Sequence, residues 1–415
     1  MCGLDPLFDR KCVMCRLDPL FTVVMCRLDP LFTVFLCALL LLLFPVVVVA
    51  SSVEACSEVA AGSGWQAPEV ISDDAELDFE TLIGILAKSR VVFVGESHDR
   101  YDHHLNQLEI ICRLHRRNPD MVIAMEFFQQ NFQTHLDDFV AGRIDTEAML
   151  RATEYYNRWR FDYRLYEPIM RFARMQGIAI VALNLAAEIT SKVGLGGIED
   201  LSEAERARLP GAMDRSDEKY RERIKTAFEQ HAEASRGDFE RFFEVQLLWD
   251  EGMAERAARF LIEHPQTRLV VLAGTGHVIR SGIPARVSRR EPVAAVSVVL
   301  QGGSHDSPSV PEEDGDFMLL SKMLELPSAG MLGVMLDSEP GRVSVQSFAD
   351  GSAAEEAGLE VGDRIVELQG RPTSDYAGIK MSLLDKRPGD TVSIKVERTT
   401  GDNAAETLVF EVTLR

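Results

Sequence analysis

The sequence is short of positive charge. Its 415 residues carry 44 lysine and arginine side chains against 65 aspartate and glutamate side chains, so the formal net charge is −21 at pH 7. A chain this acidic repels the phosphate backbone of nucleic acids, and we therefore expect no nucleic-acid partner. The hydrophobic fraction of 46% is typical of globular domains, and the length predicts two or three of them.

Cysteine is scarce outside the N-terminus. Five of the 7 cysteines lie within the first 37 residues, and only Cys56 and Cys112 follow. Beyond residue 37 the chain lacks the CxxC pairs of zinc sites and has too few cysteines for a framework of several disulfides. The GxSxG turn, the GxxxxGK[ST] phosphate loop and the HExxH helix are also missing, which removes the best-known signatures of serine hydrolases, P-loop enzymes and zinc peptidases.

An apolar segment near the N-terminus predicts export. It runs from Leu31 to Ala50, with Arg27 before it and small residues after it. This order is typical of a signal peptide, although the run is also long enough for a retained membrane anchor. VEAC, which ends at Cys56, is similar to a bacterial lipobox, whose cysteine is lipidated. We therefore interpret residues 1–56 as a signal peptide or N-terminal membrane anchor and residues 57–77 as a tether.

Five short apolar stretches predict the strands of a main domain over residues 78–300. They are Arg90–Val94, Met121–Met125, Ile178–Leu183, Arg268–Ala273 and Val293–Leu300. Leucine and isoleucine at three-residue steps predict a helix over residues 102–117, and charged helical patterns fill residues 202–263. Strands that alternate with helices predict an α/β fold with a mostly parallel sheet and helices on both faces.

Chemically active side chains follow four of these strands. Glu96 and His98 follow the first, Glu126 the second, Asn184 the third and His277 the fourth. Ligands of parallel sheets bind at the carboxyl ends of the strands, so we expect these side chains to meet in one pocket. Taken singly, each has an ordinary structural explanation, such as a helix cap, a solvated loop histidine or a turn asparagine. Their convergence favours a functional site.

The predicted pocket suits two kinds of chemistry. Glu96, His98, Glu126 and His277 offer mixed oxygen and nitrogen ligands, which suit Mn, Fe or Zn better than Ca. The rival chemistry needs no metal, with a histidine as general base and a glutamate as its orienting partner. In a hydrolase we expect His98, Glu126 and His277 to be catalytic. The sequence leaves open whether the chain is an enzyme.

Six motifs occur in the order found in a known family. They are GESHD (Gly95–Asp99) with His103 and His104 behind it, AMEFF (Ala124–Phe128), WRFDYRLYEPI (Trp159–Ile169), ALN (Ala182–Asn184), QLLWDEGMA (Gln246–Ala254) and GTGH (Gly274–His277). This series resembles the ChaN-like haem-binding proteins of the TIKI superfamily. The resemblance implies a lipoprotein or periplasmic protein of haem or iron uptake, with haem as the cofactor.

The resemblance also implies a ligand set. Wider relatives in the superfamily are metal-dependent peptidases or esterases, and the positions that match their metal-binding motif are Glu96, His98, Glu126 and His277. For these relatives the cofactor is a divalent metal such as Mn or Zn. Three further residues lie in or beside the same motifs and are predicted to surround the ligands: His104, Asn184 and Asp250.

An aromatic segment offers a second route to haem iron. It contains Tyr155, Tyr156, Trp159, Phe161, Tyr163 and Tyr166, interleaved with Arg158, Arg160 and Arg164. Haem needs an axial ligand and an apolar wall; tyrosine can ligate the iron, and arginine can pair with the propionates. The same tyrosines fit equally well in a helix that packs on the sheet. His98 or His277 could also ligate the iron, so the haem axial ligand stays unassigned.

A second, smaller domain follows a linker. Residues 301–329 begin with a stretch rich in Gly, Ser, Pro and acid, which is typical of a linker. Residues 330–415 resemble a bacterial PDZ domain in the order LGV, GSAA, AGL, GD and PGD, a small β-rich fold. The resemblance implies that it binds the C-terminal peptide of a partner. The carboxylate would lie in a nest of backbone N–H groups formed by Met331, Leu332, Gly333 and Val334.

These features lead to one preferred function and two rivals. We expect a haem- or iron-binding protein at the periplasm or the cell-envelope membrane surface, held by lipid or a helix, with a PDZ module that docks a partner. The first rival is a metal-dependent peptidase or esterase that uses the same Glu/His cluster. The second is a scaffold with a vestigial site. A homodimer is compatible with each of these functions.

Overall fold

The computed structural model describes residues 62–72, 76–231, 238–292, 296–303, 314–339, 341–399 and 405–415. The predicted signal peptide or anchor, with Cys56, lies outside these residues. No helix within the described ranges has both the length and the apolar character needed to cross a membrane.

The α/β domain is built on an eight-stranded sheet. Its strands are β1 (Glu69–Ile71), β2 (Glu76–Leu77), β3 (Val91–Glu96), β4 (Met121–Gln129), β5 (Ile180–Asn184), β6 (Arg268–Gly274), β7 (Val296–Gly303) and β8 (Phe317–Ser321). They lie in the order β2-β1-β8-β7-β3-β6-β4-β5. Every neighbouring pair from β8 to β5 is parallel, and β1 is antiparallel to β2 and β8. The predicted mostly parallel sheet is confirmed.

Helices cover both faces of this sheet. They are α1 (Phe79–Leu86), α2 (Tyr101–Arg117), α3 (Gln133–Val140), α4 (Thr146–Ala152), α5 (Tyr155–Arg158), α6 (Glu167–Gln176), α7 (Ala187–Gly196), α8 (Glu203–Arg206), α9 (Glu218–His231), α10 (Phe239–Glu263), α11 (Thr275–Val278) and α12 (Ile283–Arg290). On one face, α10 and α12 pack on alternate strand residues such as Phe93 and Val271. Val92 and Val270 point to the other face and are also fully buried. Cys112, on α2, is buried and disulfide-bonded, which the cysteine count did not predict.

The predicted tether and linker each contain strands, which corrects their interpretation as simple connections. β1 and β2 lie within residues 57–77, and β8 lies within residues 301–329. Val70 of β1 and Leu319 of β8 are fully buried because the two strands extend the sheet beyond β7. Strands as short as these need only a few apolar residues. The many polar residues around them gave both segments the composition of a tether or a linker.

The C-terminal domain has a separate, antiparallel sheet. Its strands are β9 (Val334–Glu339), β10 (Arg342–Phe348), β11 (Arg364–Leu368), β12 (Arg371–Pro372), β13 (Thr391–Thr399) and β14 (Ala405–Thr413). The main order is β14-β13-β11-β10-β9, and β12 pairs with β11. Two helices, α13 (Ala353–Glu356) and α14 (Tyr376–Ser382), cover an apolar core that includes Val343, Ile365 and Ile394. The predicted β-rich second domain is confirmed.

Gly95 allows α11 to pack closely against β3. A Cβ atom built at Gly95 would lie 2.7 Å from Val278 Cγ2 and 2.9 Å from Thr275 Oγ1. Val278 is fully buried, so these atoms have little room to move. The close approach places the GTGH turn against the strand that ends in Glu96.

This contact predicts a difference between two glycine substitutions. We expect Gly95→Ala to lower the free energy of unfolding by about 1–3 kcal/mol, because the added methyl group overpacks the contact. Gly84→Ala is the matched control: Gly84 lies inside α1 with nothing within 4 Å of a new Cβ. It should stabilise the helix by about 0.5–1 kcal/mol. Urea unfolding measures both, and equal effects would contradict the packing argument.

Candidate functional site at the strand ends

Three neighbouring strands bring the predicted ligands together. Glu96 is the last residue of β3, and it pairs in register with Gly274, the last residue of β6. Glu126 lies inside β4, not after it as the sequence suggested, because β4 continues to Gln129 through an irregularity in its pairing with β5. One carboxylate oxygen each from Glu96 and Glu126 and a ring nitrogen of His98 lie within 4.8 Å of one another.

Glu96 orients His98. Oε1 of Glu96 is hydrogen-bonded to Nδ1 of the His98 ring, whose side chain is 29% exposed. Burial alone would lower the pKa of His98, but the hydrogen bond to Glu96 and the charges of Glu96 and Glu126 outweigh it, so that pKa is raised above 6.5. The second oxygen of Glu96, Oε2, is buried and has no hydrogen-bond partner among the described residues; Nε2 of His104, at 3.9 Å, is too far for a hydrogen bond. Such an oxygen fits a position beside a bound cation.

His277 forms a second carboxylate–imidazole pair. Its Nδ1 lies 2.5 Å from Oδ1 of Asp250 on α10, and its Nε2 lies 3.5 Å from Oε1 of Glu126. Burial would lower the pKa of His277, but the charges of Glu126 and Asp250 raise it to about 9. His277 is therefore an imidazolium at neutral pH, and it balances part of the negative charge of the site.

Gly274 leaves space beside the ligand atoms. Its N–H donates to Oε2 of Glu126 at 2.8 Å. A Cβ atom at Gly274 would lie 3.0 Å from Cε1 and 3.4 Å from Nε2 of His98, and 3.7 Å from Oε2 of Glu126. The missing side chain keeps the approach to both ligand atoms open, which fits an ion or an iron centre at this position.

His98 and Glu126 of the cluster line a cavity of about 240 Å³. Trp159, Trp249 and His277 also line it. The rings of Trp159 and Phe161, called here the aromatic wall, lie 4.8 Å and 4.9 Å from the His98 ring. The cavity is smaller than those that enclose drug-sized ligands, so a macrocycle would be held at its mouth and an ion would fit inside.

The tyrosines of the aromatic segment are packing residues. Tyr155, Tyr156, Tyr163 and Tyr166 are all at least 96% buried, with exposures of 2%, 4%, 1% and 1%. Burial raises the pKa of each phenol, which disfavours the phenolate that iron ligation requires. The structure therefore buries all four tyrosines, whereas His98 and His277 line the cavity with side-chain exposures of 29% and 15%.

The three predicted surrounding residues lie around the cluster. Nε2 of His104 is 3.3 Å from the His98 carbonyl oxygen and 3.9 Å from Oε2 of Glu96. Asn184 lines the cavity, and its Oδ1 is buried without a hydrogen-bond partner. Asp250 holds His277 as described. Trp249 was missed by sequence reasoning, although the motif QLLWDEGMA contains it next to Asp250.

The predicted peptide nest lies at the start of β9. The carbonyl oxygen of Leu332 accepts hydrogen bonds from Ala354 N at 2.9 Å and from Ser352 Oγ at 3.1 Å. Gly333 has a φ of +74°, and a Cβ there would lie 2.8 Å from Ser352 Cα. Within the described residues, the N–H groups of Leu332 and Gly333 have no protein acceptor. Met331 N, in contrast, donates to Arg415 O at 2.8 Å, which removes one predicted member of the nest.

Comparisons with known proteins agree with both domains. A family profile described as haem-binding uptake, Tiki superfamily, ChaN matches residues 82–287, and a PDZ profile matches residues 330–412. A solved structure of ChaN from Campylobacter jejuni with cofacial haem binding aligns with a TM-score of 0.50 and 19% identity, over 61% of this chain and 97% of that one. This likeness shows the fold.

Two further similarities are weaker. An erythromycin esterase structure aligns with a TM-score of 0.37 and 12% identity, over 62% of this chain and 83% of that one. The chloroplastic protein RETICULATA-RELATED 5 of Arabidopsis thaliana is 22% identical over 258 residues, which is 56% of this chain. The chain spans 33% of the length of that relative, so the relative as a whole is a poor guide to function.

The His277 pair predicts a pH-dependent stability. The pKa of His277 rises from 6.5 in the unfolded chain to about 9, so its contribution is present below pH 6.5 and is lost as the pH rises through 9. This shift corresponds to roughly 3 kcal/mol. We expect His277→Gln to be destabilised near neutral pH and to lose less stability than the parent on going to alkaline pH.

Urea unfolding at about pH 6 and about pH 9.5 brackets this titration. His264→Gln is the matched control, because His264 is an exposed histidine at the end of α10. The control should follow the parent at both pH values. Parallel pH profiles for the parent and His277→Gln would show that the pair does not contribute.

Proposed function

We propose that this chain holds haem at its strand-end pocket while the PDZ domain binds the C-terminal peptide of a partner, because residues 82–287 match the profile of the ChaN haem-binding uptake family of the Tiki superfamily and residues 330–412 match a PDZ profile. We place this activity at the cell-envelope surface, as the N-terminal sequence predicts.

The observation that carries the haem proposal is the hydrogen bonding of the His98 ring. Its Nδ1 is bound to Glu96, which leaves Nε2 as the nitrogen available to a metal, and a carboxylate on the far side of the ring raises the basicity of an imidazole ligand. Gly274 keeps the space in front of Nε2 open. Bound haem would supply the iron that this nitrogen ligates.

The surrounding residues support the macrocycle. Trp159 and Phe161 offer an apolar face beside His98. Arg160, between them, is exposed, whereas Arg158 is already paired with Glu154 and Glu188. We therefore propose that Arg160 is the arginine free to meet a haem propionate.

The free edge of β9 supports the peptide-binding proposal. β9 is the last strand of its sheet, so among the described residues no strand pairs with its outer edge. Peptides add to such edges as an extra strand. The N–H groups of Leu332 and Gly333 precede this edge and would donate hydrogen bonds to a terminal carboxylate.

One observation favours a second candidate, a metal-dependent hydrolase. The three ligand atoms within 4.8 Å and the unpartnered Oε2 of Glu96 suit a single Mn or Zn ion. When bound, such a metal would supply Lewis acidity and an activated water. Glu96, His98 and Glu126 would hold it, and the His277 cation would lie beside any negative charge that develops.

The haem proposal predicts a loss on substitution of His98. We expect the full chain, which keeps the disulfide of Cys112, to shift the Soret band of added hemin, and His98→Ala to weaken hemin binding by about tenfold or more. His264→Ala is the control: His264 precedes β6, at the opposite end of the strands, and should leave the titration unchanged. A Soret titration identical in both variants would contradict the assignment of His98.

The same preparation separates the two candidates. Elemental analysis after dialysis against Mn or Zn, together with assays on ester and peptide substrates, tests the hydrolase. Stoichiometric metal and hydrolysis that are both lost in Glu96→Gln, without a Soret shift in the parent, would replace the haem proposal. A Soret shift without hydrolysis supports it.

The PDZ proposal predicts that two glycine-to-alanine substitutions differ in their effect on peptide binding. Labelled peptides ending in Val, Leu or Phe with a free carboxylate should bind, and Gly333→Ala should weaken the tightest of them by about tenfold or more, because the methyl group meets Ser352. Gly341→Ala is the matched control. Gly341 has a φ of +77°, but no described atom lies within 4 Å of a Cβ built at that position. Fluorescence anisotropy measures both, and equal losses would assign the effect to backbone strain alone.

A further inference from the structure

One short stretch of chain contacts both the strand-end pocket and the PDZ domain. Residues 154–162, called here the connecting segment, contain α5 and the aromatic wall. Trp159 and Phe161 face His98 in the α/β pocket, with ring distances of 4.8 Å and 4.9 Å. Tyr156, three residues before Trp159, contacts the PDZ domain, where the Lys380 amino group lies 5.9 Å from the centre of its ring.

The PDZ domain contacts this region at several points. Helix α14, which carries Lys380, packs on α5. Arg371 of β12 forms an ion pair with Glu147 of α4. In addition, Arg164, just after the connecting segment, donates to the carbonyl oxygen of Pro327 at 2.7 Å, in the linker that leads into the PDZ domain. The PDZ domain therefore supports the outer side of the chain that forms the aromatic wall.

The connecting segment needs that support. Glu154 and Arg160 have φ angles of 52° and 70°, and they are two of the three non-glycine residues with positive φ in the described part of the chain. Such residues are strained and persist only when the surrounding structure holds them in place. Helix α14 packs on α5, the helix that lies between these two residues.

Helix α14 also borders the proposed peptide site. Ile379 of α14 and Leu383, the residue just after it, lie in the same apolar cluster as Leu332, Val334 and Leu336. A peptide added to the outer edge of β9 would therefore pack against α14. One helix thus contacts the peptide on one side and the connecting segment on the other.

We propose that occupancy of the PDZ groove and occupancy of the strand-end pocket are linked through α14 and the connecting segment. This inference rests on the proposed function. A peptide that orders α14 fixes Tyr156 and, three residues on, the aromatic wall. The pocket then loses less conformational entropy when its ligand binds. Each ligand therefore raises the affinity of the protein for the other.

Two measurements test the linkage. In the first, hemin is titrated into the full chain with and without a saturating amount of the tightest of the labelled peptides, and we expect its apparent affinity to rise about fivefold or more. In the second, hydrogen exchange of the backbone amides of Trp159 and Phe161 is followed without hemin, and the peptide should slow it. The second readout does not depend on haem binding.

Charge reversal distinguishes the linkage from a general effect. Lys380→Glu and Arg371→Glu should each bind peptide normally. In both variants the hemin affinities with and without peptide should have a ratio of about one, which means that the two sites are independent. The double variant Arg371→Glu with Glu147→Arg restores the ion pair and should restore the effect. Arg342→Glu, an equal charge change at an exposed residue of β10, is the control and should keep it.

The outcomes are separable from those of the proposed function. Suppose that hemin and peptide both bind, but the peptide changes neither the hemin affinity nor the hydrogen exchange of the aromatic wall. The linkage is then wrong and the proposed function stands. If hemin does not bind but the peptide still slows exchange in the aromatic wall, the haem assignment fails and the linkage stands. A peptide that leaves the exchange unchanged overturns the linkage in either case.

Discussion

The parallel pairing of β3 with β6, and of β6 with β4, is the constraint on which the site depends. It aligns Glu96 with Gly274 across two strands and brings Glu126 alongside. Three segments that are far apart in sequence thereby share one edge of the sheet. Backbone hydrogen bonds fix this alignment, so Glu96 and Glu126 are positioned by the sheet itself, whereas His98 lies in the turn after β3 and is oriented by its hydrogen bond to Glu96.

That alignment creates an electrostatic problem, which the imidazoles reduce. Glu96, Glu126 and Asp250 are each at least 95% buried, and a buried carboxylate is costly unless it is paired. His98 pairs with Glu96, and His277 lies between Asp250 and Glu126. The side chains proposed to bind a ligand are therefore also the ones that make the buried charge tolerable. Substitutions at this site are expected to affect stability and binding together.

Much of the fold and of the cluster could be predicted from the sequence, because apolar strands and the residues after them are local patterns. Glu96, His98 and His277 follow from such patterns. The extension of β4 past Glu126 and the strands β1 and β8 could not be predicted, since they depend on partners distant in the chain. The burial of the tyrosines and the contact of α14 with α5 likewise arise only from tertiary packing.

The pairing of β1 with β8 has a practical consequence for separating the domains. These strands come from before and after the α/β core, and they complete its sheet next to β7. Cutting the chain at residues 78 and 300 would delete them and leave β7 with an open parallel edge, a surface prone to aggregation. A stable α/β fragment therefore has to begin ahead of Glu69 and extend past Ser321, which lies well inside the segment 301–329 that the sequence predicts to be a linker.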